Sequence, residues 1–152
     1  MSIFKNITKR PTIIMGYPGS GKGYHLWDEE NFVDLELPSK TLWGVCNAPE
    51  EMIPLTDAIR IYGHFLPTKE QIQELISECL WNFDEKKNGF TVRGKNGNNI
   101  FLPLIDEVFG FYHTNSMKDD KHYWAFSIDK IHKGELFPSL INSKAFVRLV
   151  KK

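Results

Sequence analysis

A chain of 152 residues with 41% hydrophobic and 25% charged side chains can bury a core of its own and is neither disordered nor collagen-like. Lys plus Arg and Asp plus Glu both number 19, which removes any overall electrostatic pull toward nucleic acid or an anionic membrane. No apolar run approaches the length of a membrane span or a signal-peptide core, so no membrane span is expected.

The first 27 residues hold Lys5, Lys9, Arg10 and Lys22 and no acid, which leaves 15 basic against 19 acidic side chains in the rest. This asymmetry reads as an extended basic, Gly/Pro-rich anchoring arm over residues 1–30 ahead of a mildly acidic body over residues 31–152. Exposed apolar side chains on such an arm are costly unless they pack on something. Ile13, Ile14, Tyr17, Tyr24 and Trp27 are therefore the candidate assembly contacts, onto the body or onto a neighbouring subunit.

Within the arm, residues 16–23 run Gly-Tyr-Pro-Gly-Ser-Gly-Lys-Gly and open with G-x-x-x-x-G-K, with Gly16, Gly21 and Lys22 placed as in a loop that cradles phosphate. The chemistry of that loop also needs a hydroxyl on magnesium and a helix whose N-terminus faces the phosphates. Positions 23 and 24 are Gly and Tyr, and the following stretch carries Asp28, Glu29 and Glu30 before Pro38. Nucleotide binding is thus the alternative reading, not the leading one, and no cofactor is expected.

Further along, a short helix is expected over residues 54–62, stopped by Gly63. A better-specified helix begins at Thr68, where Gln71 completes a capping box, and carries an apolar stripe through Ile72, Leu75, Ile76, Cys79 and Leu80. The stripe predicts that it ends near Trp81 or Asn82. After Gly89 the pattern turns to strands, with residues 90–92 and 100–102 flanking an Asn-Gly turn and further strands over 110–113, 122–127 and 145–150. Helices first and strands after predict an α+β fold with two helices and a largely antiparallel sheet.

Candidate chemistry is sparse. Cys46 and Cys79 are too few for a disulfide scaffold and lack C-x-x-C spacing, so both read as small core residues. The histidines His25, His64, His113, His122 and His132 stand singly, outside metal-ligand spacing, and no metal is expected. Asp106 and Glu107 are adjacent and in a strand would face opposite ways, which prevents them from acting as an acid–base pair. No catalytic residue is expected and the chain reads as a non-enzyme. Recognition is assigned instead to loops over residues 105–121 and 128–144, with Tyr112, His113, Asp119 and Lys121 as partner-binding residues. Of the aromatics Tyr112, Tyr123, Trp124 and Phe126, most read as core, since alternating rings in a strand usually fill a scaffold.

One resemblance spans most of the body. Residues 32–47 run Phe-Val-Asp-Leu-Glu-Leu-Pro-Ser-Lys-Thr-Leu-Trp-Gly-Val-Cys-Asn, similar to the V-D-L-G-L-P-S-G-T-x-W-A-x-C-N opening of the Fibrobacter succinogenes major paralogous domain. The order continues with Leu66, Pro67, Thr68, Glu70 and Leu75 at a helix start, then Cys79 and Trp81 as C-x-W. Residues 96–103 are similar to N-G-N-x-I-F-L-P, residues 122–127 to Y-Y-W-S-S, and residues 145–150 to the closing F-S-V-R-P-V. Glu36 stands where the pattern has glycine, Phe65 where it has arginine and Leu149 where it has proline.

The resemblance implies a C-type-lectin-like body, two helices with small antiparallel sheets. The family's occurrence in bacteriophages of Bacteroides-type bacteria implies a virion component of a crAss-like phage: a head fibre, decoration or tail-associated protein assembled in the host cytoplasm. The partners so implied are other virion proteins, further copies of the chain in an oligomer and a host-surface glycan. A bacterial carbohydrate- or protein-binding domain in the bacterial cytoplasm is the remaining alternative.

Overall fold

The computed structural model describes residues 31–48, 51–105, 109–131 and 134–152. Strands β1 (Phe32–Asp34) and β2 (Leu42–Gly44) pair antiparallel, and β11 (Val150–Lys151) joins the far side of β2 with Val150 opposite Trp43. The first and last described segments are therefore one sheet. β3 (Ile53–Pro54) pairs with β10 (Lys144–Ala145) and leads directly into helix α1 (Leu55–Tyr62). Gly63 stops α1 as expected: it adopts φ 53°, where glycine carries no side-chain penalty, and its N–H returns to the Ile59 carbonyl. A short 3-10 turn, Gly63–Phe65, follows.

Helix α2 (Lys69–Glu78) starts at the expected capping box, with Thr68 Oγ1 accepting from the Gln71 N–H and Gln71 Oε1 accepting from the Thr68 N–H. It ends earlier than the apolar stripe predicts. Cys79 is already extended, and β4 (Leu80–Asp84) takes Trp81 into the core while Leu80 is 61% exposed. The pairing of β4 with the strand Gly89–Arg93 supplies hydrogen bonds that another helical turn would forgo, and the Trp81 indole N–H caps the Leu75 carbonyl at 3.1 Å.

β5 (Gly89–Arg93) and β6 (Asn99–Pro103) form the expected hairpin, with Gly97 at φ 90° in its loop. The last sheet has the order β7 (Phe109–Tyr112), β8 (His122–Asp129) and β9 (Glu135–Leu140). β9 corrects the reading of residues 128–144 as a loop. It is an edge strand whose exposed Pro138 offers no N–H, so it lacks the even β-branched alternation that marks a strand in sequence. Residues 145–150 are not one strand: only their two ends are paired, Ala145 in β10 and Val150 in β11, which serve different sheets. All pairings of named strands are antiparallel, and with the two α-helices they give the expected α+β class.

The main core gathers Trp43, Ile72, Leu75, Trp81, Phe90 and Phe126 from α2 and three sheets, with Trp81 edge-on to both Phe90 and Phe126. A second cluster lies under α1 around Ala58, Tyr62, Leu66 and Val147. Cys79 belongs to the main core, whereas Cys46 is exposed, which corrects its reading as a core residue. It sits in the polar bend that follows β2, outside the alternation that buries Trp43.

Candidate functional site

The four residues assigned to partner binding fall into two groups. Tyr112 ends β7 at 2% exposure and His113 follows it at 0%, so neither presents a surface to a partner. Tyr112 faces Phe126 in the main core, and burial raises its pKa against the opposing charge of Arg148. His113 Nε2 lies 2.6 Å from the Ile53 carbonyl, which can only accept, so Nε2 carries the proton and Nδ1 accepts from the Tyr123 hydroxyl at 2.6 Å. Burial lowers its pKa, with the Ile53 bond opposing. The same burial raises the Tyr123 hydroxyl. These are the hydrogen bonds of a satisfied core histidine.

Asp119 and Lys121 are exposed. Asp119 Oδ1 accepts from the N–H groups of Lys121 and His122 and from His122 Nδ1, each at 2.9 Å, and these bonds lower its pKa. The carboxylate thus shapes its own turn. Trp124 is half-buried, with the Lys69 ammonium 5.1 Å from its ring. The assembly contacts Ile13, Ile14, Tyr17, Tyr24 and Trp27, the loop of Gly16, Gly21 and Lys22, and the pair Asp106 and Glu107 all lie outside the described residues.

The structure instead assembles an open groove of about 720 Å³ between the β1–β2 turn, the 3-10 turn, the first turns of α2 and β11. One wall is a directed chain of hydrogen bonds. Gln71 Oε1 is fixed by the Thr68 N–H, so its Nε2 donates to Thr41 Oγ1 at 3.3 Å. The Thr41 hydroxyl, fully buried, then donates to Ser39 Oγ at 2.6 Å, and Ser39 Oγ donates to Glu74 Oε1 at 2.7 Å. The Ser39 N–H holds the other carboxylate oxygen at 2.9 Å. Donors aligned in one direction polarise each other and end on the ionised carboxylate, so Glu74 and Gln71 are held in place. The same groove is lined by the rings of His64 and Phe65, with centroids 4.5 Å apart and planes tilted by 32°.

Sequence reasoning missed this groove because Ser39 and Glu74 are 35 residues apart and Gln71 and Thr41 are 30 apart. The only local signal was the capping box that orients Gln71. Among the described residues no group of three His, Cys, Asp or Glu side chains is placed to hold a metal ion, and no helix is long and apolar enough to cross a membrane. Comparison with protein families, with curated proteins and with solved structures finds no match to this chain.

Proposed function

We propose that the chain is a non-enzymatic structural and binding protein of a bacteriophage particle, with a C-type-lectin-like body and residues 1–30 as its assembly arm. One observation carries the reading. The pattern V-D-L-G-L-P-S-G-T has glycine at the positions that Glu36 and Lys40 fill here. These residues have φ of 58° and 66°, the left-handed region that favours glycine. The chain keeps the turn while lacking the residues that make it cheap, which supports a shared backbone.

The motif blocks also converge in space. Arg148, from the closing block, donates to Asn47 and Gly44 of the opening block and to the Phe101 carbonyl of the N-G-N-x-I-F-L-P block. Asn96 and Asn98 both donate to the Asp34 carbonyl, at 2.8 and 2.9 Å. Blocks far apart in sequence thus serve as one scaffold, and the buried titratable groups are occupied with holding it. The arm reading rests on the four cations and absence of acids in residues 1–27 and on the five apolar or aromatic side chains among them proposed as contacts.

The test is peptide mass spectrometry and immunogold labelling of particles purified from infected host cells. The chain is expected to co-purify with particles through a density gradient. Expression in infected cells without particle association would refute the proposal.

A further inference from the structure

The groove that opens beside α2 suggests a ligand class for the binding role. We infer that it holds a neutral oligosaccharide, with Glu74 and Gln71 reading hydroxyl groups and the ring pair His64 and Phe65 facing the apolar side of a sugar ring. The inference rests on the binding reading above.

Three observations carry it. A sugar is recognised by rigid, planar polar groups, because each hydroxyl both donates and accepts and mobile partners lose the gain to ordering entropy. Glu74 is already fixed through both carboxylate oxygens by Ser39, and Gln71 is fixed by Thr68 and the buried Thr41, so little ordering cost remains. Each carboxylate oxygen offers two acceptor sites, and Ser39 supplies one donor to each, which leaves acceptors for sugar hydroxyls.

The groove also has apolar surface, since the rings of His64 and Phe65, tilted by 32° to each other, and the buried Val150 are among the residues that line it. Charge then selects against ionic ligands. Among the lining residues, Glu70 and Glu74 are balanced in number by Lys151 and Lys152, so neither an anion nor a cation gains a net attraction. The volume of about 720 Å³ lies within the range of small-ligand sites and accommodates a short oligomer.

The full chain, labelled with nitrogen-15, would be titrated with maltotriose, cellotriose, xylotriose, mannotriose and fully N-acetylated chitotriose to 10 mM each while amide shifts are followed. At least one is expected to move the amides of Ser39, His64, Phe65, Gln71 and Glu74 in a saturable way. Glu74→Gln is expected to weaken that binding about tenfold or more. Phe65→Ala is expected to weaken it as well, with both variants retaining the dispersed spectrum of the folded protein. Titrations with no saturable shift for any of the five, shifts confined to another face, or binding unchanged in both variants would overturn the inference. Particle association is read by a separate experiment, so a sugar-blind chain in particles would leave the broader proposal standing.

Discussion

Arg148 is 2% exposed, and among the described residues its hydrogen-bond partners include no carboxylate. Nε and Nη2 share the Asn47 oxygen, Nη1 reaches the Gly44 and Val45 carbonyls, and Nη2 also reaches the Phe101 carbonyl at 2.7 Å. All five guanidinium donors are thereby engaged by neutral acceptors. Burying a cation this way is tolerable only while every donor is satisfied. Arg148→Ala would leave those acceptors buried and unpaired and is expected to cost about 3–5 kcal/mol in urea unfolding. Arg148→Lys, with three donors for a five-donor site, should fall between the two.

His113 makes the same kind of bargain in neutral form. Its folded pKa is lowered by burial, whereas in the unfolded chain it is about 6.5. Between those values the unfolded state binds the extra proton. Stability is therefore full above pH 6.5 and falls as pH drops below it, by up to about 1.4 kcal/mol per unit. Unfolding at pH 7.5 and 5.5 should show a larger loss for the native chain than for His113→Gln. Equal losses would place the pH sensitivity at other groups.

At the scale of elements, the β1–β2 turn is the sharpest case of a local rule broken. Glu36 and Lys40 hold left-handed conformations that cost a non-glycine residue about 1 kcal/mol or more, only partly offset by the entropy a glycine would add. Glu36→Gly and Lys40→Gly are each expected to stabilise by about 0.5–1 kcal/mol. The opposite expectation holds at Gly94, where a Cβ would collide with the Leu35 carbonyl, so Gly94→Ala should be strongly destabilising. Thermal unfolding of the three variants tests both signs. Loss of stability in the turn variants would mean that the side chains of Glu36 and Lys40 contribute more than the strain costs.

Elements were legible where their determinants are local. The capping box at Thr68, the stop at Gly63 and the hairpin around Gly97 depend on residues within four positions of one another. The end of α2 did not follow from its stripe, because β4 competes for Cys79 and Leu80 through pairing with β5, a partner the helical pattern does not contain. Tyr112 and His113 read as loop contacts for a similar reason. What buries them is Phe126, Tyr123 and the Ile53 carbonyl, brought in by tertiary structure. The groove was the least legible feature, since it exists only after the β1–β2 turn, α2 and β11 have come together.

For the whole molecule, the decisive feature is that the described fold closes on its own last residues. Val147, Arg148, Leu149 and Val150 are all buried, β11 completes the sheet of β1 and β2, and the Phe146 carbonyl accepts from the His113 N–H. A truncation that removes residues 147–152 thus takes away one sheet edge, four buried side chains and the Arg148 network together. It is expected to abolish cooperative unfolding. Under the proposed division of labour, the chain without residues 1–30 should keep a cooperative thermal transition. This second truncation should lose only assembly, read as a drop in mass by light scattering. An oligomer unchanged without residues 1–30 would move the assembly contacts onto the body itself. The exposed Met117, Ile131 and Leu140 would then be the next side chains to substitute.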